Sequence, residues 1–324
     1  MEKTKRLNED FAAFLKENPF VGTPSLLYEP IEYTITQSGK RLRPMLCLLA
    51  CDMFGGDHQK ALYPALALET FHNFTLIHDD IMDNAPVRRG KPTVYREWGS
   101  SQAILSGDAM FAKAIELALK SPVNPTEIAR LIAKVSIEVC EGQQMDLDFE
   151  TRNDVSVDEY LEMIRLKTAV LLATALDAGA VCAKADDKNR QLIYDFGINI
   201  GMAFQLQDDL LDCYGDEKVF GKAIGGDIIE NKKTFLYLKA LEIADANDRA
   251  ELKGIFSDQL HYDNATKIAK VKSIYDRANI KAATEDSIQD LYAKANSLIG
   301  SIVATSEAKG ILVGYANMLL KREK

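Results

Sequence analysis

Cysteine, positive charge and long uncharged runs are all scarce in this 324-residue chain. The five cysteines, Cys47, Cys51, Cys140, Cys182 and Cys213, are odd in number and lack the short paired spacings of a metal knuckle. A disulfide framework is therefore not expected, and a reducing compartment fits better; Cys47 and Cys51, four apart on an expected helix, read as buried thiols. Lys and Arg total 39 against 48 for Asp and Glu, giving a net charge of −9. That balance offers no general attraction to nucleic acid or an anionic lipid surface, so any anionic ligand must be held by local basic clusters. No segment reaches about 18 consecutive apolar residues, and the opening MEKTKRLNEDFAAFLKENPF scatters charge where a signal peptide would be apolar. Stable membrane insertion is not expected, and the cytoplasm is the expected location.

Alternating β-branched runs are also nearly absent, as are fixed-period repeats, low-complexity tracts and linkers. Apolar residues recur instead at three- and four-residue spacings, and the composition is 47% hydrophobic, so the expected class is all-α with a deep core. After a first helix ending near ENPF, helices are expected over Ser25–Gln37, Pro44–Phe54, Asp57–Asn84, Ser100–Lys120, Thr126–Phe149, Ser156–Ala183 and Asp187–Tyr214, with more after Thr234. Ser156 and Glu159 form a capping-box pattern. With only the glycine-rich GDEKVFGKAIGGD as an irregular stretch, a single domain over 1–324 is expected.

The stretch LIHDDIMDNAPVRRGKP places Asp79, Asp80 and Asp83 at i, i+1 and i+4 in the last turns of a helix. Asp79 and Asp83 then share a face, repel each other, and meet the negative end of the helix dipole. The pattern returns in FQLQDDLLDCYG, where Asp208, Asp209 and Asp212 again end a helix. One DDxxD alone reads best as a solvated acidic face; two, embedded among Leu76, Ile77, Ile81, Leu206 and Leu210, read as carboxylates lining a cavity. Two such ends can face each other around divalent cations, and the all-oxygen donor set favours Mg²⁺ completed by substrate phosphate oxygens. His72 and His78 are six apart, on different helix faces, which argues against zinc.

Cations to accompany those phosphates are present. Arg88 and Arg89 follow the first cluster after a short loop, and GKRLRP supplies Lys40, Arg41 and Arg43 ahead of a helix whose free N–H groups favour an anion.

GKRLRP, LIHDDIMD with RRGKPT, LKT, FQLQDDLLD and GKAIGGDIIENKKT, in that order, resemble the trans-isoprenyl diphosphate synthases, which include the farnesyl and geranylgeranyl diphosphate synthases. The resemblance runs from about Gly39 to Thr234. It implies the isoprenoid synthase fold, a bundle of helices around a central cavity, working as a homodimer. It implies head-to-tail condensation of isopentenyl diphosphate onto an allylic diphosphate, with three Mg²⁺ ions per active site once substrate is bound. Asp79, Asp83 and Asp208 would hold metal, with Asp80, Asp209, Asp212 and Asp146 as supporting acids. Arg88, Lys167, Lys222 and Lys232 would grip the allylic diphosphate, and Lys40, Arg43, His72 and Arg89 the isopentenyl diphosphate. Thr168 and Gln205 would present oxygen dipoles to the developing carbocation, and released diphosphate would take the proton, so no protein base is sought.

Chain length would be set on the helix leading into Asp79. Phe74 stands five residues before it and Phe71 eight, about 7.5 and 12 Å along the axis, so the rings either floor the cavity or simply pack in the core. In the resembled family an aromatic at the fifth position accompanies short products, and Thr75 stands where a second aromatic favours the farnesyl length. A C15 to C20 product is expected, geranylgeranyl diphosphate before farnesyl. A class I terpene cyclase needs no second diphosphate pocket, so GKRLRP and the paired Arg88 and Arg89 argue against that reading. A non-catalytic partner subunit would be expected to lose aspartates from one cluster, and a charged helical scaffold would not respond to Mg²⁺ with a diphosphate analogue.

Overall fold

The computed structural model describes residues 2–37, 39–215, 224–257 and 259–320. The described residues are helical apart from connecting turns and one two-stranded hairpin. In chain order the first elements are α1 (Glu2–Glu17), α2 (Ser25–Ile35), α3 (Leu42–Met53), α4 (Leu62–Met82), β1 (Val87–Arg88), β2 (Lys91–Pro92), α5 (Val94–Trp98) and α6 (Ser100–Leu119). Then come α7 (Pro125–Thr151), α8 (Val157–Ile164), α9 (Val170–Cys182), α10 (Asp187–Tyr214), α11 (Gly226–Ile229) and α12 (Phe235–Ile243). The last four are α13 (Ala246–Phe256), α14 (Asn264–Arg277), α15 (Ile280–Ser301) and α16 (Ser306–Leu320).

Most helix limits follow local chemistry visible in the sequence. Ser156 accepts from the Glu159 N–H at 3.2 Å while the Glu159 carboxylate accepts from the Ser156 N–H at 2.9 Å, the expected reciprocal cap on α8. The long helix expected from Asp57 instead opens with a 3₁₀ turn, His58–Ala61, whose first N–H groups Asp57 caps, and becomes α-helical at Leu62. The helix expected at Pro44 begins two residues earlier, at Leu42, because Arg41 adopts a left-handed conformation with φ 46° and turns the chain there. The stretch after Pro86, expected as a loop, forms the β1–β2 hairpin and the short α5.

The helix expected over Ser156–Ala183 is not continuous. A five-residue π turn, Arg165–Ala169, separates α8 from α9. No Gly or Pro marks that position, and the apolar periodicity runs straight through it, so local sequence carries no sign of the insertion.

The chain packs as two compact units. The first comprises residues 1–136, 171–194 and 302–312; the second comprises 137–170, 195–301 and 313–324. In the first, α3 is apolar on nearly every side and is buried from Pro44 to Cys51. The α9 backbone lies directly against it: a Cβ on Gly179 would come within 2.1 Å of the Cys47 carbonyl oxygen. Cys47, Cys51 and Cys182 are buried there, and burial pushes the Cys51 and Cys182 thiols up to about 12, which leaves them inert neutral core residues. Arg190 ties the same unit together, donating to Asp177 at 2.8 Å and to Glu127 at 2.7 Å. In the second unit the core gathers Phe235, Leu236, Ile274, Tyr275 and Ile288, with Tyr237 stacked on Phe256 at 4.0 Å between ring centroids.

Candidate active site

The first acidic cluster closes α4, and its three carboxylates have different surroundings. Asp80 is 4% exposed and accepts from Arg88 Nε at 2.7 Å, so one member of DDxxD is spent on holding the β1 strand. Burial raises the Asp80 pKa and the Arg88 guanidinium opposes that rise. Asp79 is half-buried and Asp83 is exposed at the helix C-cap, one turn along the same face.

Beside this helix end the first unit builds a basic pocket. Arg41 donates to Glu69 at 2.6 Å, to the Ile35 carbonyl at 2.5 Å and to the Gln37 carbonyl at 2.7 Å, which fixes the GKRLRP loop. A Cβ on Gly39 would lie 3.3 Å from the Arg89 guanidinium, so this loop and the hairpin meet at Arg89. His72, one turn before Leu76 on α4, faces four arginines. Burial, then Arg43, Arg89, Arg88 and Arg41 in that order, pushes its pKa well below the usual range, so the imidazole is neutral at physiological pH. Its Nδ1 is buried without a hydrogen-bond partner among the described residues. Burial also lowers Arg43 to about 10, against the pull of Glu69, which leaves it cationic near neutrality.

The positive charge there exceeds its local neutralisation. Arg41 is matched by Glu69 and Arg88 by Asp80, whereas Arg43 and Arg89 have no ion-pair partner among the described residues. Arg43 also stands in the first turn of α3, where backbone N–H groups add to the positive field. Two uncommitted guanidinium forks and a neutral imidazole make a receptor for a multiply charged oxyanion.

The second unit carries the other cluster and its neighbours. Asp209 is 5% exposed; its carboxylate accepts from the Tyr160 hydroxyl, from Gln205 Nε2 at 3.2 Å and from the Phe235 N–H at 3.5 Å. Burial, and next the charge of Asp227, pushes Asp209 up to about 8. Its hydrogen bonds from Tyr160 and Phe235 brace α10 against α8 and α12. Asp212 accepts from the Asp227 N–H at 3.0 Å and its own carbonyl accepts from the Gly225 N–H at 2.7 Å, so it fixes the glycine turn that follows. Asp208, the remaining member, is half-buried.

The π turn delivers two further expected residues to this group. Thr168 donates to Gln205 Oε1 at 3.3 Å, and Lys167 pairs with Asp146 at 2.5 Å. Lys232 lies 3.1 Å from Glu230 and 3.8 Å from Asp227. Lys222 lies outside the described residues.

Among the described residues no three His, Cys, Asp or Glu side chains converge closely enough to hold a metal alone. The donor chemistry still fits Mg²⁺, which takes one or two carboxylates and completes its octahedron with waters and substrate phosphate; Asp79, Asp83 and Asp208 are oxygen donors at helix ends.

A polyprenyl synthetase family model matches residues 24–277, most of the chain and all five of the ordered motifs. The chain belongs to the polyprenyl synthetase family. A geranylgeranyl pyrophosphate synthase of Geoglobus acetivorans is 36% identical over 325 residues, covering 99% of this chain and 98% of the relative. A geranylfarnesyl diphosphate synthase of Natronomonas pharaonis is also 36% identical, covering 93% of this chain and 92% of its own length. A crystal structure of geranylgeranyl pyrophosphate synthase is 44% identical, with a TM-score of 0.93 over 99% of both chains. This synthetase therefore has the all-α isoprenoid synthase fold. No helix among its described residues is long and apolar enough to cross a membrane.

On α4 of the synthetase, Phe71 is fully buried and Phe74 half-buried, their centroids 5.5 Å apart. Phe111 of α6 completes the group, 6.3 Å from Phe71 and 5.6 Å from Phe74, while His78 sits edge-on to Phe74 at 4.8 Å. Phe111 and Tyr160 escaped the sequence reading. Each lies far along the chain from the motif it serves, and no spacing rule links it there.

Proposed function

We propose that this prenyltransferase makes geranylgeranyl diphosphate by condensing isopentenyl diphosphate with an allylic diphosphate, as a cytoplasmic homodimer with 1–324 as one catalytic domain. The observation that carries the substrate assignment is the pair of arginines, Arg43 and Arg89, that have no ion-pair partner among the described residues, beside neutral His72. Such a pocket suits a diphosphate that is bound but not broken, which is the part isopentenyl diphosphate plays. Lys40 adds charge at its rim, and His72 can donate to phosphate without adding charge of its own.

Asp79, Asp83 and Asp208 are assigned to Mg²⁺, three ions per site with substrate, and the metal supplies charge neutralisation of the allylic diphosphate as leaving group. Arg88, Lys167, Lys222 and Lys232 orient that diphosphate and share its charge. Thr168 and Gln205 turn oxygen dipoles toward the allylic cation, which stabilises it without trapping it. Asp80, Asp209, Asp212 and Asp146 hold these groups in place. The isopentenyl double bond then attacks, and the departing diphosphate accepts the proton that is lost. Relatives at equal identity carry geranylgeranyl and geranylfarnesyl names, so overall similarity does not set the length. The half-buried Phe74 ring favours the shorter product.

Purified protein incubated with Mg²⁺, isopentenyl diphosphate and each of dimethylallyl, geranyl and farnesyl diphosphate should yield C20 diphosphate as the final product. Failure to extend any starter would overturn the proposal. Asp79→Ala should lower turnover by several orders of magnitude with an unchanged melting temperature.

A further inference from the structure

Gly142, on α7 in the second unit, lies against the π turn with no room for a side chain. A Cβ on it would fall 2.4 Å from the Lys167 backbone nitrogen, 2.8 Å from the Leu166 carbonyl carbon and 2.8 Å from Lys167 Cα. Non-bonded carbons prefer roughly 3.5–4.0 Å, and all three atoms are backbone, which cannot swing aside as a side-chain tip can. One helical turn along the same face, Asp146 takes the Lys167 ammonium at 2.5 Å. A single stripe of α7 thus touches the turn twice, at its backbone through Gly142 and at its side chain through Asp146. The next residue in the turn, Thr168, reaches Gln205 at 3.3 Å. Single π turns cost helix stability and persist where function or packing requires them; here the packing partner is a glycine.

We propose that the Gly142–Asp146 stripe of α7 is a positioning element for the reaction: it holds the π turn where Lys167 meets the allylic diphosphate and Thr168 meets Gln205. This rests on the roles given to Lys167 and Thr168 above. Gly142 touches no substrate; it acts by letting two backbones come closer than any side chain allows. An added methyl must push the turn outward, and a misplacement of about 1 Å in a positioned group can cost roughly 100-fold in rate.

The test compares Gly142→Ala with Gly179→Ala in the full chain. Gly179 is an equally tight backbone approach, 2.1 Å from the Cys47 oxygen, but in the α3–α9 core of the first unit. Gly142→Ala should lower kcat/KM for the allylic diphosphate roughly 100-fold while KM for isopentenyl diphosphate stays within about twofold. Gly179→Ala should lower the melting temperature without that split. Asp146→Asn, which preserves volume and removes only the charge facing Lys167, should raise the allylic KM about tenfold with little change in melting temperature. If Gly142→Ala does not accumulate as folded protein, Asp146→Asn decides. Wild-type allylic parameters in the folded variants, or the same split in Gly179→Ala, would overturn the proposal. Lys167→Ala, run in parallel, separates the layers: an unchanged allylic KM there removes the role of Lys167 and this inference with it, while product formation by the wild-type protein still stands.

Discussion

Replacing Phe74 by alanine should lengthen the product by one five-carbon unit. Phe74 and Phe71 are three residues apart on α4, so the second ring lies about 4.5 Å farther along the helix axis. An isoprene unit contributes four chain bonds of about 1.5 Å each, or about 5 Å once the zigzag is counted. Removing the first ring therefore opens room for about one more unit before Phe71, which is fully buried and backed by Phe111, stops the chain. Phe74 is only half-buried, so its truncation should cost about 2 kcal/mol, less than the loss of a fully buried ring. The assay is chromatographic sizing of the product from isopentenyl diphosphate and farnesyl diphosphate, with the melting temperature measured on the same sample. A shift from C20 to C25 is expected, and Phe71→Ala in the same chain should carry the product further. A folded Phe74→Ala enzyme with the wild-type length distribution would refute the floor, and Phe74 would then be a packing residue only.

Three other predictions concern stability and orientation. Tyr160→Phe removes a donor from buried Asp209 and should cost about 1–3 kcal/mol, seen as a lower melting temperature, and should also reduce turnover because Asp209, which accepts from Gln205, is no longer held by the Tyr160 hydroxyl. Arg190→Ala strands Asp177, which is 6% exposed, and should destabilise the protein by about 3 kcal/mol in chemical denaturation, whereas Asp177→Asn combined with Arg190→Ala should recover part of that loss. Hydrogen bonds from Arg130, and also Arg190, hold Glu127 down to about 2, below its unfolded value near 4.3. Its contribution is therefore complete above about pH 4.5 and lost as pH falls toward 2; because the group is partly exposed, the loss is about 1 kcal/mol, and Glu127→Gln should flatten the acid limb of the stability curve by that amount.

Helix limits were largely legible because they depend on neighbours in the chain. The α10 limits, Asp187–Tyr214, coincide with expectation, and the Ser156 cap needs only the residue three places on. Both acidic motifs were legible for the same reason: carboxylates at i and i+4 on a helix end carry an electrostatic conflict that three letters reveal. The π turn was not, since an extra residue in a helix is selected by what packs against it, and the close approach of Gly142 lies 25 residues from Lys167.

The partners of the acids inside each DDxxD belong to the tertiary structure as well. The family resemblance already set Asp79, Asp83 and Asp208 apart from Asp80, Asp209 and Asp212, but the letters do not say what each of the latter three holds. Burial separates them: Asp80 turns inward to Arg88, Asp209 to Tyr160 and Gln205, and Asp212 to the glycine turn. By itself the sequence determined the all-α class, the family motifs and the sign of charge the ligand must carry, because these follow from local periodicity and from charge that has to be compensated. Which carboxylates are buried against a donor, and which arginines lack an ion-pair partner among the described residues, were decided only when distant segments packed, since desolvation and pairing exist only between groups that folding brings together.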